Sequence, residues 1–489
     1  MLGGSALAAT PATDYGALTV KPPGTGNSAY WGSRMAAAKH DYNGDGAGDV
    51  FVADQNNERV YLLSGKEAGA PSRETNPLRV LKDPLGQAYS GFGSFISVVG
   101  DASGDGKPDL AVGAPGASVT VNGVTENYAG TVFLMDPAKG KMLHRFDNPN
   151  PEYGTRYAQR IGSAGDLTGD NKPEVIVGAS GWRPPGSYIN VGKAYIFDGA
   201  TGALHRTLDL PASDLAGCNC QFGLAVQGPG DIDGDGVTDQ LVNAGYYGLG
   251  RRAQGRSYLF SGKTGELIRK IDSPEPESNP AFFGFQDAAP LTPGDVNDDG
   301  RADVYAASFE QDGPTGERQG KAWVFSGKDI ASGPADVPFN TALYALDDPT
   351  PEKGGMFGWT MDKTDHNKDG TPDLYVGQAP HHGGLDGGGT YVMDGKDGSE
   401  LKRLELPESC DQAASLGWSL AAPGDLNGDG EPDYLGGAPY FDIPQGEGQG
   451  PDGQGPPPFD WKPKNGMVLS FVSNPGPLPT PCSAEDLGG

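Results

Sequence analysis

The chain has 489 residues, 79 of them Gly and 36% hydrophobic, with a formal net charge of −28. This balance suits many short strands and turns more than long helices. It excludes a nucleic-acid partner, since no basic stripe exists, and no stretch is long and apolar enough for a membrane span.

The opening MLGGSALAATPATDYG reads as the tail of a secretory signal, or as a disordered end. Residues 1–12 are therefore set apart from a repeating region, 13–474, and from a tail, 475–489. DYGALTVKPP follows, a strand-like stretch with no partner close in sequence.

A nine-residue acidic loop then recurs seven times, at starts separated by 60, 65, 65, 64, 70 and 60 residues. Oxygen-bearing side chains stand at loop positions 1, 3, 5 and 9. They are Asp41, Asn43, Asp45 and Asp49 in the first copy, and Asp101, Ser103, Asp105 and Asp109 in the second. The third has Asp166, Thr168, Asp170 and Glu174, and the fourth has Asp231, Asp233, Asp235 and Asp239. The fifth has Asp295, Asn297, Asp299 and Asp303, and the sixth has Asp365, Asn367, Asp369 and Asp373. Asp425, Asn427, Asp429 and Asp433 complete the set.

A hard cation such as Ca2+ takes six to eight oxygens, and alternate residues of a tight loop can point theirs inward. Position 6 is Gly in six copies, where the chain turns sharply, and Asn171 in the third. One such loop alone would read as an Asp/Asn/Gly surface turn. Seven copies with the same positional chemistry read as up to seven Ca2+ sites, with the main-chain carbonyl at position 7 completing each shell. The third is expected to be the weakest, because Thr168, Asn171 and Glu174 depart from the pattern. An EF-hand is excluded: its position 12 needs Glu, and here that position is Val in five copies, with Ala306 and Gly436 in the others. The four positions together hold 22 carboxylates, so seven Ca2+ would bring the net charge to about −14.

Around each loop stands one unit. An aromatic–Gly pair opens an apolar stretch: Trp31-Gly32, Phe92-Gly93, Phe222-Gly223, Phe283-Gly284 and Phe357-Gly358, with Tyr157-Ala158 and Leu416-Gly417 in the third and seventh units. The acidic loop follows, then an apolar run ending in a Gly-Ala-Pro-like corner, then two more strands such as GKAYIFD and GALHRTLDLP. Four antiparallel strands in each of seven units predict an all-β, seven-bladed β-propeller. The seventh unit lacks a fourth strand. Residues near Leu18 to Lys21 are expected to supply it as the outer strand of the seventh blade and so close the ring, leaving no free sheet edge.

These motifs resemble FG-GAP repeat proteins, the family typified by the N-terminal propeller of integrin α subunits. The resemblance runs from about Tyr15 to Val472. It implies that the Phe-Gly and Gly-Ala-Pro segments pack as inner strands and that the acidic hairpin loops bind Ca2+ on one face. Integrin propellers carry the loop in only some blades, whereas all seven units have it here. No inserted adhesion domain, leg domain, membrane helix or accompanying phospholipase domain is recognised, so an integrin-head-like module is the expectation rather than a receptor.

The connections between second and third strands vary, and they should emerge on the face opposite the loops. Trp182, Arg183, Tyr246, Tyr247, Arg251, Arg252 and Trp461 in these connections are candidates for a ligand face, because aromatic and Arg side chains carry interface energy. Tyr188, Tyr440 and Phe441 lie in the same connections, and the alternative for each residue is local packing. His381-His382 reads as a solvated turn, and no catalytic residue is assigned. Four Cys, an even count, suit an oxidising compartment. Cys410 could pair with Cys482 and Cys218 with Cys220, or the Cys218 loop could pair with the tail.

The leading expectation is a secreted, Ca2+-stabilised binding or adhesion module for an extracellular protein or glycan. An extracellular enzyme acting on polysaccharide and a structural subunit of a surface assembly are the alternatives. Oligomeric state is not legible.

Overall fold

The computed structural model describes residues 15–475 apart from 21, 24–30, 71–75, 122, 249–253, 277–281, 285–291, 314–317, 352–353, 380–387, 407–414 and 440–466. Arg251, Arg252, Trp461, Tyr440, Phe441, His381, His382, Cys410 and Cys482 lie outside the described residues, as do 1–12 and most of the tail.

Seven antiparallel sheets follow one another along the chain, and each is one blade. Blade 1 comprises Met35–Ala37, Val50–Asp54, Arg59–Leu63 and Pro77–Lys82. Blade 2 comprises Phe95–Gly100, Asp109–Ala114, Thr131–Asp136 and Lys141–Asp147, and blade 3 comprises Tyr157–Gly165, Glu174–Ala179, Lys193–Phe197 and Leu204–Asp209. Blade 4 comprises Phe222–Gly230, Asp239–Ala244, Arg256–Phe260 and Leu267–Ile271, and blade 6 comprises Phe357–Thr364, Asp373–Gln378, Gly389–Met393 and Glu400–Glu405. Blade 5 shows Val304–Ser308, Lys321–Phe325 and Tyr344–Asp347, with an antiparallel bridge from Gly294 to Asp303 on its inner side. Among the described residues helix is confined to two single turns, Gly65–Ala68 and Gly327–Ala331, and a short 3-10 turn, Ala212–Asp214.

Blade 7 joins the two ends of the chain. Ser419–Gly424, Asp433–Ala438 and Met467–Ser473 are followed outward by Tyr15–Val20, which pairs antiparallel with Met467–Ser473. Leu18 lies opposite Ser470, and Val20 opposite Val468. The amino-terminal strand therefore closes the ring, as the missing fourth strand implied. Lys21 lies outside the described residues.

Buried strands alternate their side chains between the two neighbouring blades, which explains why they read as continuous apolar runs. In blade 1, Val50 and Val52 pack toward blade 7, whereas Phe51 and Ala53 pack toward blade 2. Seven such cores fill the seven gaps between blades.

Glycine contacts explain the two recurrent motifs. A Cβ on Gly178 at the second-strand corner would overlap the carbonyl oxygen of Gly223, in the aromatic–Gly pair of the next blade. Gly113 meets Ala158, Gly377 meets Gly417, and Gly437 meets Gly32 in the same way. Blade-to-blade contact thus requires a bare backbone at the corner. The paired Gly takes positive φ, and in the third unit Ala158 adopts φ 65 in its place. Gly437→Ala, at the closure between blades 7 and 1, should cost about 1–3 kcal/mol in chemical denaturation by overpacking.

Blade 4 also carries a buried charge network. Arg256 holds Asp272 with two bonds of 2.6 Å and reaches Asp214 at 3.1 Å, while Lys270 and the Tyr258 hydroxyl bond Asp214 at 3.0 and 2.8 Å. The network pins the Ala212–Asp214 turn to the blade. Asp214→Ala leaves two buried cations without their shared partner and should destabilise the ring by about 3–5 kcal/mol, readable in denaturant unfolding.

Candidate metal centre

The nine-residue loops join the first and second strands of their blades, so they all emerge on one face of the ring. The turns between third and fourth strands emerge on the same face. The connections from second to third strand, and from one blade to the next, emerge on the other.

Each loop is wired through its own carboxylates. In the first, Asp41 accepts the N–H groups of Gly44, Asp45 and Gly46 at 2.6, 3.2 and 2.8 Å. Asp45 accepts from Ala47 at 3.0 Å, and Asn43 accepts from Asp45 at 3.0 Å. Asp101, Asp231 and Asp425 repeat the position-1 pattern in their own loops. Position-3 oxygens of Asp233, Asn297, Asn367 and Asn427 likewise accept the position-5 N–H.

Position 6 has positive φ in all seven loops, including 65° at Asn171. Position 4 does too, and this was not read from the sequence: Asp298 and Lys368 take φ 57° and 59° where the other five loops have Gly. The signal available was the Gly in those five copies. Two left-handed residues one apart curl the backbone so that alternate side chains converge.

Position 9 is the buried anchor. Asp49 accepts from Tyr42 N at 2.7 Å within the loop, and from Gly65 N at 3.1 Å in the turn after the third strand. Asp239 does the same with Ile232 and Gly262, Asp303 with Val296 and Gly327, Asp373 with His366 and Gly395, and Asp433 with Leu426 and Ser473. Burial pushes these carboxyls up: Asp49, Asp303 and Asp433 to about 6, and Asp109, Glu174 and Asp239 to about 7. Desolvation also raises Asp373. Surface carboxyls go the other way. Backbone N–H groups, Gly46 foremost, lower Asp41, and the Lys396 ammonium lowers Asp369.

Oxygens of Asp41, Asp45 and Asp49 lie within 4.8 Å of one another, as do those of Asp166, Asp170 and Glu174 and those of Asp231, Asp233 and Asp239. Such all-oxygen, carboxylate-rich sets fit a hard divalent cation. In blade 2, by contrast, Lys139 bridges Asp105 and Asp136 at 2.7 Å each, and in blade 6 Lys396 holds Asp369 at 2.7 Å. Arg301 approaches Asp231 at 3.5 Å. A Ser or Asp just after the third strand borders each loop: Ser64 donates to Asp45 at 2.6 Å, Ser326 to Asp299 at 3.0 Å and Ser473 to Asp429 at 2.9 Å.

The described ligand-face candidates, Trp182, Arg183, Tyr246 and Tyr247, occupy the opposite face in varied settings. Trp182 is half-buried against the cores of blades 2–3 and 3–4, with the Lys193 ammonium 4.2 Å from its ring centre. Arg183 donates to Asn190 at 2.7 Å. Tyr247 packs under the Arg256 guanidinium at 4.0 Å, and Tyr246 is exposed and edge-on to Phe282 at 5.0 Å. Cys218 and Cys220 are bonded to each other, in the connection between blades 3 and 4.

Residues 92–135 match the FG-GAP repeat family and residues 41–112 the FG-GAP-like repeat family, on the motifs that dock blade to blade and form the loops. The first two blades thus match FG-GAP repeats. Human phosphatidylinositol-glycan-specific phospholipase D is 32% identical over 190 residues, covering 38% of this chain and 20% of that protein. Integrin alpha-PS2 of Drosophila melanogaster is 25% identical over 268 residues, 52% of this chain and 17% of that protein. Human integrin alpha-IIb is 27% identical over 231 residues, 45% and 20% respectively. The chain thus spans about a fifth of the length of these relatives. Among the described residues no helix is long and apolar enough to cross a membrane. The propeller is integrin-α-like in its FG-GAP repeats.

Proposed function

We propose that this FG-GAP propeller is a secreted, Ca2+-loaded binding module that docks an extracellular protein or glycan on the face away from its acidic loops. The observation that carries the reading is the convergence of three carboxylates within 4.8 Å in the first, third and fourth loops. The shared left-handed turns at positions 4 and 6 extend the same design to all seven. Asp and Asn oxygens at positions 1, 3, 5 and 9, with the position-7 carbonyl, would hold Ca2+. The ion supplies charge neutralisation at a cluster of mutually repelling carboxylates. The loops are committed to that task, whereas the connections of the other face are unequal in length and free to vary, which is where recognition is built on a rigid scaffold.

Titrating metal-stripped chain with Ca2+ by calorimetry tests the reading. Seven ions per chain are expected; two or fewer would reject it. The loops should differ in strength. Lys139 competes for Asp105, so Lys139→Ala should tighten Ca2+ binding at the second site about tenfold, a change of about 1.4 kcal/mol. An unchanged binding isotherm would show that the ammonium swings aside without cost.

A further inference from the structure

Five of the described tyrosines are exposed, and four of them stand well clear of the ring: Tyr89, Tyr128, Tyr153 and Tyr188 are 86%, 57%, 77% and 94% exposed, against 40% for Tyr246. All four sit in connections on the face opposite the acidic loops, over blades 2 and 3. Ten of the fourteen well-exposed large hydrophobic side chains among the described residues lie on that face.

Their display is built in. Tyr89 and Tyr128 have φ 61° and 57°, a conformation that Gly or Asn would adopt more cheaply. Neither ring is buried in return. The supporting turns are fixed by hydrogen bonds. Ser118 N donates to Gln87 Oε1 at 2.9 Å, Ser118 Oγ donates to Asn127 Oδ1 at 3.1 Å, and Gly116 N donates to Ser90 O at 2.8 Å. Tyr128 and Tyr153 meet edge to face at 6.2 Å, joining the blade 2 connection to the one entering blade 3. Gly181 N bonds Thr155 O at 2.8 Å, and Asn190 N bonds Asn219 Oδ1 at 2.8 Å, which tie in the loop of Tyr188.

We infer that this tyrosine array is a platform for a neutral polysaccharide. The inference rests on reading the chain as an extracellular binding module and names the site and the ligand class. Separate aromatic faces at this exposure form no pocket for a buried protein anchor, but they offer π surfaces to the C–H faces of successive pyranose rings. The side-chain amides of Gln87, Asn127, Asn190 and Asn219 lie in connections of the same face; their oxygens hold the turns, and their NH2 groups carry further donors for sugar hydroxyls. Three nearby cations are engaged within the chain: Lys193 with Asp209, Arg145 with Asp147 and Arg183 with Asn190. A net charge of −28 disfavours a polyanion.

The test uses the full Ca2+-bound chain against soluble mannan, galactan, β-glucan and xylan, with heparin and alginate as anionic controls, by affinity electrophoresis and calorimetry. The variant carries Tyr89→Asn and Tyr128→Asn, which suit the left-handed backbone, with Tyr153→Ser and Tyr188→Ser. At least one neutral polysaccharide should bind, and the variant should weaken it at least about tenfold with unchanged melting temperature and Ca2+ content. The four Tyr→Phe changes should keep binding within about threefold, since the faces remain. Equal binding by the Asn/Ser variant, binding of the anionic polymers alone, or no binding across the panel would overturn the inference. A protein ligand lost in that same variant would also overturn it, while leaving the binding-module reading in place.

Discussion

Removing divalent cations with EDTA is expected to lower the melting temperature of the ring by at least about 8 °C. One site held at a hundred times its Kd contributes about 2.7 kcal/mol, so the three compact carboxylate clusters alone give about 8 kcal/mol. For a chain of 489 residues the unfolding entropy converts this at roughly 1 °C per kcal/mol. The gap should also depend on pH, with a sign set by the position-9 carboxyls. Burial raises them in the folded chain, Asp49 to about 6 and Asp109 to about 7. Between their unfolded and folded values, the metal-free folded state binds more protons than the unfolded state. Their contribution is therefore fully present below about pH 4 and is lost as the pH rises through 6 to 7. Ca2+ replaces those protons, so the difference between loaded and stripped melts should widen from pH 5 to pH 7, with proton release on binding at pH 6. A gap that is absent, or that narrows over this range, would remove the loops from the stability of the ring.

Deleting residues through Pro22 should lower the melt of the Ca2+-loaded chain by about 5 °C or more and promote self-association. The deletion removes the strand Tyr15–Val20 and six paired positions along Met467–Ser473, a strand buried throughout. Leu18 and Val20 are both buried, each worth about 1.5–3 kcal/mol. Trp31 Nε1 loses the Val20 carbonyl at 3.0 Å, and the Tyr15 hydroxyl no longer reaches Pro432 O at 2.6 Å. The bared edge is a template for another chain. A peptide of residues 13–22 added in excess should restore part of the loss. An unchanged melt and a monodisperse deletion variant would contradict the clasp.

The ring was legible because its constraints repeat. Each corner Gly must meet the backbone of the next blade, and each loop must turn left-handed twice, so the same residue types return at the same offsets. The missing fourth strand of the last unit had one place to come from, and Tyr15–Val20 fills it. Less was legible where the constraint is spatial. Nothing local marks Lys139 as the partner of Asp105, 34 residues away, since strand pairing alone brings them together. Asp298 and Lys368 hide a left-handed turn behind ordinary residue types. On the other face, the sequence shows which connections carry aromatics but not which way they stand. Trp182 and Tyr247 pack partly onto the cores, whereas Tyr89, Tyr128 and Tyr153 stand out in solvent.

The most direct measurement is anomalous diffraction from crystals grown in Ca2+. Seven peaks are expected, one in each loop, ringed by the carboxylates of positions 1, 5 and 9 and the carbonyl of position 7. Two or fewer peaks in the loops, or Ca2+ bound away from them, would contradict the reading of this propeller as a calcium-loaded ring.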